Sequence, residues 1–244
     1  MGRLQSTAGD LIAFIRAPTI TVRTSGQRQQ LVEVAWLFLL NCLIVLAIAV
    51  ILFPMMAVFG IKMSGDMSEL FNRPLWQIML IVVVVGPIAE ELMFRAWISG
   101  TPRLLIVFLG FVAWIGGFYF LQKLGPADSA PPAAIALIAI ITIAVLVGLI
   151  RFWQSAVPAW YNKIFPLVFW GQALLFGFVH VFNYAGDAPA VLLPFVLPQL
   201  VGGLIWGYAR IRYGWWSNIL MHMVYNLIAT SGLIYVLLTR PDVL

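Results

Sequence analysis

The chain has 244 residues, of which 63% are hydrophobic and 9% charged, and its net charge is +5. That balance excludes an ordinary soluble domain and places the chain among integral membrane proteins, with the lipid bilayer as its first partner. The positive excess reflects how Lys and Arg are sorted across a bilayer, not a nucleic-acid partner. With only one cysteine, Cys42, no intrachain disulfide can form.

Residues 1–30 form a polar, basic segment carrying Arg3, Arg16, Arg23 and Arg28, with no cleavable signal peptide apparent. Leu4, Ala8, Leu11, Ile12 and Ile15 recur at helical spacing and predict a short amphipathic helix on the membrane surface. A soluble polar tail is the other reading. Residues 31–244 read as a single all-α domain, a polytopic transmembrane helical bundle of about seven spans (six to eight). The spans are Leu31–Val58, Leu75–Ser99, Leu104–Leu121, Ala133–Ile150, Phe165–Tyr184, Val191–Tyr208 and Ser217–Leu238.

The loops between them set an orientation. With a cytoplasmic N-terminus, the cytoplasmic side holds Arg3, Arg16, Arg23, Arg28, Arg103, Arg151, Lys163, Arg210 and Arg212. The opposite side holds only Lys62, Arg73, Lys123 and Arg240. Gly125 to Pro132 reads as an external turn, and Phe152 to Asn162, with Trp153, Trp160 and Tyr161, as an interfacial segment. Gly203 and Gly207 form a small-xxx-small pair that lets another helix approach closely.

The chemistry concentrates around Val82-Val-Val-Val-Gly-Pro-Ile-Ala-Glu-Glu-Leu-Met-Phe-Arg95. Charges at membrane depth are costly and are kept where they pair or react. On a helix, Glu91 and Arg95 are one turn apart and can pair, while Glu90 points elsewhere without a cation from its own helix. Pro87 predicts a bend one turn before the acids, and Gly86 predicts room beside Glu90.

Both histidines of the chain fall in apolar spans. Phe176 lies one turn before His180 and can hold its ring, with Gly177 leaving space beside it. Asn226 lies one turn after His222 and shares its face. Asn183 reads more simply as an end-of-helix polar residue than as a partner of His180. Glu90, His180 and His222 can hold one zinc ion with an open position for water. Equally, Glu90 can act as general base on water while His180, His222 and Asn226 hold an oxyanion. Both routes are hydrolytic. One conflict is visible: counted from the expected span starts, His180 lies roughly 22 Å deep and His222 about 8 Å, at 1.5 Å per residue.

Competing chemistries lack their residues. There is no His-Glu-x-x-His, no Gly-x-Gly-Asp (Tyr184-Ala-Gly-Asp187 lacks the first glycine), and no Gly-x-Ser-Gly around Ser99 or Ser231. Cys42 has no activating base on its own helix and reads as a small apolar filler.

Glu90-Glu91-x-x-x-Arg95, Phe176-x-x-x-His180 and His222-x-x-x-Asn226, in this order on apolar helices, resemble the CPBP family. These are the CAAX-protease and bacteriocin-processing (Abi, Rce1-like) intramembrane proteases. The resemblance covers about residues 75–238. It implies a hydrolase in which Glu90 activates water, Glu91 is held by Arg95, and His180, His222 and Asn226 complete a chamber between the second, fifth and seventh spans. Family members are often called metalloproteases, and a metal-free glutamate mechanism has also been argued, so zinc stays open. The implied substrate is a membrane-associated peptide or protein; prenylated CAAX proteins are the eukaryotic substrates. The short chain without a eukaryotic targeting segment points to a bacterial inner-membrane protein. The long interval from Arg95 to Phe176 departs from the compact motif order and predicts an inserted helical hairpin. Two other readings use the same residues: a proton-coupled transporter, and a non-enzymatic membrane scaffold or immunity protein keeping the fold.

Overall fold

The computed structural model describes residues 2–22, 24–124, 131–185 and 189–239. Arg23, Arg240 and Asp187, and most of the expected turn at 125–132, therefore lie outside the described residues. Among the described residues the fold is all-α apart from one pair of two-residue strands. Five helical stretches among the described residues are long and apolar enough to cross a membrane: Gln27–Phe59, Leu75–Ser99, Pro102–Lys123, Ala134–Phe152 and Ala159–Asn183. They correspond to the first five spans read from the sequence.

The chain forms two compact units, residues 1–95 with 165–244, and residues 96–164. In the first unit, α1 (Arg3–Arg16) is the helix expected from the N-terminal periodicity. Its Leu11 and Phe14 are buried, and the Phe14 ring meets Phe169 and Tyr208 edge-on, each at 5.0 Å between centroids. Ile12, expected on the apolar stripe, is 49% exposed. The stripe is turned so that Phe14 makes the contact. α1 docks on the neighbouring α2 (Gln27–Phe59), whose last turn closes on Gly60 at φ 63°.

After α2 come β1 (Lys62–Met63), α3 (Gly65–Phe71) and α4 (Leu75–Ile78). A π-helical stretch, Met79–Val85, then leads into α5 (Gly86–Arg95). The second unit holds α6 (Pro102–Leu124), α7 (Pro131–Phe152) and the first residues of α8 (Ala159–Val179). α6 and α7 pack along each other as a helical hairpin, in the interval where an insertion was expected. Small residues make this possible: a Cβ on Gly110 or Gly117 would strike the side chain of Val145 or Leu137. Tyr161 departs from its interfacial reading. It is 2% exposed, its hydroxyl donates to the carbonyls of Trp97 and Ile98 at 3.3 and 3.2 Å, and its ring covers Gly100, which sits at φ 71°. Trp153 and Trp160 are exposed as expected.

The expected sixth span, Val191–Tyr208, is not one helix. Pro194 and Pro198 break it into α9 (Pro189–Leu192), a 3₁₀ turn (Leu193–Val196) and α10 (Leu197–Arg212), because neither proline can donate a backbone hydrogen bond. α10 has 16 residues, fewer than the roughly 20 a bilayer span needs. Its Gly203 faces Ala173 and its Gly207 faces Gln172 and Phe169, so the small-residue pair does admit α8. α11 (Trp215–Thr239) closes the fold with 25 residues.

Candidate active site

The site begins with a backbone irregularity. Pro87 has no N–H, and its ring would clash with the carbonyl four residues back in a regular α-helix. The preceding turns relax into the π-helical stretch, in which Gly86 N–H bonds the Ile81 carbonyl five residues earlier. The Val82 carbonyl is then stranded. Its α-helical donor, Gly86, is already spent, and its π-helical donor would be Pro87. Asn226 on α11 fills the vacancy, donating from Nδ2 to Val82 O at 2.8 Å. The space expected beside Gly86 is taken by the Ile81 carbonyl, because a Cβ there would sit 2.7 Å from that oxygen. Gly177 likewise makes room for Leu200 of α10 and not for His180.

On α5 the two acids point into different surroundings. Glu91 is fully buried and pairs with fully buried Arg95 one turn on. It also meets His222 Nδ1 at 2.8 Å and accepts from Asn218 Nδ2 at 2.5 Å. The Arg95 guanidinium lies over the Phe176 ring at 4.2 Å and stands 5.4 Å from the Trp206 ring. A carboxylate held by a guanidinium, an imidazole and an amide has its lone pairs used, so the cost of burying it is offset locally.

Glu90 has no such partners. Its Oε2 is buried without a hydrogen bond among the described residues, 3.8 Å from His180 Nε2 and 3.7 Å from His222 Nε2. The opposite ring nitrogens settle what those edges present. His180 Nδ1 lies 2.6 Å from the Phe176 carbonyl, which can only accept, so Nδ1 carries the proton. His222 Nδ1 faces the Glu91 carboxylate and carries a proton for the same reason. In their neutral forms both rings turn an Nε2 lone pair towards Glu90 Oε2. Trp206 stacks on His222 at 4.1 Å, and the Phe176 ring touches His180 at 4.6 Å, which fixes both planes.

These groups share a cavity of about 680 Å³ with Asn226. The conflict in depth does not arise in the fold, because the Nε2 atoms of His180 and His222 both lie within 3.8 Å of Glu90 Oε2. α11 turns back immediately after α10, with Ser217 Oγ donating to Ala209 O at 3.0 Å. Glu90, His180 and His222 are thus brought together. Glu91 and Arg95 stand behind His222, and Asn226 lines the wall while bonding the backbone. Asn183 lines the same cavity without a side-chain bond to His180. A second cavity, about 790 Å³ between α1 and α2, contains neither histidine nor Glu90.

The sequence reading missed Asn218 and Trp206. Asn218 lies one turn before His222, as Asn226 lies one turn after it, so an Asn-x-x-x-His-x-x-x-Asn ladder was there to be read. Trp206 had no comparable pattern, since only the glycines flanking it marked that face for packing.

Oxygen and two imidazole nitrogens are a donor set that suits zinc. Their spacing does not yet match it. Ligands at zinc distance and tetrahedral angle stand about 3.4 Å apart, closer than 3.7 and 3.8 Å. Among the described residues no three His, Cys, Asp or Glu side chains form a ready metal site. Zinc would need Glu90 and both rings to draw in by a few tenths of an ångström.

Residues 72–228, more than half of the chain, match the family model described as type II CAAX prenyl endopeptidase Rce1-like. No curated protein and no solved structure matches the chain.

Proposed function

From the premise that the chain belongs to the Rce1-like family of CAAX-type intramembrane proteases, we propose that it cleaves a peptide bond of a membrane-associated peptide or protein, using Glu90 to activate water. The observation that carries this is the unpartnered Glu90 Oε2 facing two histidine Nε2 atoms across gaps of 3.7 and 3.8 Å. Glu90 Oε2 and the His180 Nε2 lone pair are two acceptors that orient a water by its two O–H bonds, leaving His222 Nε2 to act as a donor. Glu90 takes one proton as the water oxygen bonds the substrate carbonyl carbon, and the π pair moves onto the carbonyl oxygen. His222 in its protonated form, supported through Nδ1 by Glu91, donates from Nε2 to that oxyanion. The second N–H of the Asn226 amide, the one not spent on Val82, is the other donor. Collapse re-forms the carbonyl and breaks the C–N bond, and Glu90 returns its proton to the leaving amine. His180, with its Nδ1 proton held by a carbonyl, keeps an acceptor on the water throughout. Zinc, where bound, would be held by Glu90, His180 and His222 and would polarise the carbonyl; no step above depends on it.

We further assign the N-terminus to the cytoplasm, the motif-bearing core to residues 75–238 within a protease domain of 31–244, and the chain to a bacterial inner membrane. The Lys and Arg distribution supports the first of these. The test is cleavage of a membrane-peptide library by purified protein in detergent, comparing wild type, Glu90→Gln and His222→Ala with and without a chelator. Products from wild type that vanish in both variants are expected. Substrate flux without any product would instead support a transporter, and a phenotype intact in Glu90→Gln would support a scaffold.

A further inference from the structure

The cavity at Glu90 has a strip of unspent backbone on its wall. β1 pairs antiparallel with β2 (Tyr184–Ala185), Lys62 opposite Ala185 and Met63 opposite Tyr184. The next bond along is Ser64 N–H to Asn183 O, 2.8 Å. In an antiparallel ladder, hydrogen-bonded pairs alternate with pairs whose N–H and C=O groups point away from each other. Ser64's bond makes Met63 and Tyr184 a pair of the second kind. Tyr184 N–H is used locally, on Val181 O. The N–H and C=O of Met63 have no partner among the described residues, and both residues of β1 are exposed.

That edge belongs to the cavity. Met63 and Tyr184 line it with Glu90, His180 and His222, and α3, which follows β1 directly, adds Met67, Leu70 and Phe71. An open edge with free main-chain groups is a template for one more strand. The hydrolysis proposed above needs the substrate's main chain laid open, because a helical substrate keeps its peptide groups bonded to each other. We propose that the Met63 edge of β1 binds the substrate as an added β-strand. One substrate residue exchanges main-chain hydrogen bonds with Met63, and alternate side chains enter the apolar wall of Met67, Leu70 and Phe71. The ligand class is an extended, apolar peptide segment, so a substrate that is helical in the membrane must unwind locally before cleavage. This inference rests on the proteolytic reading of the site.

The test is disulfide capture on protein that cannot turn over. Full-length chain carrying Cys42→Ala, Glu90→Gln and Met63→Cys is incubated with an apolar peptide in which one cysteine is moved through consecutive positions. Side chains of a strand share a face every second residue, whereas those of a helix do so every third or fourth. The edge predicts capture at positions two apart, with the position between them captured at least about ten-fold less, a contrast set by the opposite faces of a strand. Uniform capture, a spacing of three or four, a lone position, or no capture overturns it. Met63 is 41% exposed, so its replacement leaves the core intact. Cleavage by protein with Glu90 in place is scored separately. Alternating capture without cleavage would sink the protease and keep the strand, while cleavage with aperiodic capture would do the reverse.

Discussion

The α6–α7 hairpin and the α5 region solve the same problem, burial in an apolar medium, in opposite ways. Between Arg103 and Lys123, and again from Pro131 to Ile150, the hairpin carries no charged residue. Its helices are held by interdigitation at Gly110, Gly117 and Gly148. The α5 region keeps two carboxylates and an arginine, and its backbone departs from the α-helix to accommodate Pro87. Packing alone stabilises the first. The second is held by a network centred on Glu91, whose carboxylate meets Arg95, His222 and Asn218, while Glu90 Oε2 is buried without a hydrogen bond among the described residues. The carboxylate bonded by three side chains serves the fold; the carboxylate without a hydrogen bond marks where chemistry is expected.

The largest effect separating the two regions should come from cutting the buried pair. Arg95→Ala leaves a fully buried Glu91 without its cation, and the cost should be about 3–5 kcal/mol of stability. Thermal unfolding in detergent should show it as a large fall in midpoint. A loss below about 1 kcal/mol, the scale of an exposed pair, would mean that water reaches Glu91 and the network is not closed.

Next in size is Asn218→Ala. It removes a hydrogen bond to a charged group inside the protein, worth about 1.5–3 kcal/mol. Because Glu91 also holds His222 Nδ1, activity should fall beyond what unfolding explains, with Asn218→Asp failing to rescue since it sets a second carboxyl against Glu91. Unchanged turnover in folded Asn218→Ala would show that Glu91 orients His222 without help. In the hairpin the comparable intervention is Gly110→Leu, which drives a side chain into Val145 and should cost about 1–3 kcal/mol through overpacking. Proteolytic activity per folded molecule is the discriminating readout, and retained activity is expected.

The sequence was most legible where one residue's chemistry has few uses in a membrane. The Glu91–Arg95 pair follows from four-residue spacing, and the first five spans follow from apolar length. The meeting of His180 and His222 was expected from the family resemblance against the depth count, which assumed equal helix starts. It was least legible where the outcome depended on competition between backbone groups. A run of four valines reads the same in an α- and a π-helix, so nothing before Pro87 announced the change of pitch. The sixth span differs for another reason: its run is largely apolar, but Pro194 and Pro198 divide it into shorter helical pieces.

The smallest effect is the most specific to the α5 region. If Asn226 is bonded to Val82 O because Pro87 deprives that carbonyl of a donor, the two residues must be energetically coupled. Asn226→Ala in the native background strands a carbonyl and should cost about 1–3 kcal/mol. In a Pro87→Ala background a backbone N–H becomes available at that position, so the same change should cost less. The double-mutant cycle should return a coupling of about 1 kcal/mol, above the few tenths at which independent sites add. Additivity would detach Asn226 from the helix irregularity and leave its amide wholly for the cavity. Coupling would mean that half of that amide is structural, and that the π-helical turn, Pro87 and Asn226 act as one device that sets where Glu90 stands.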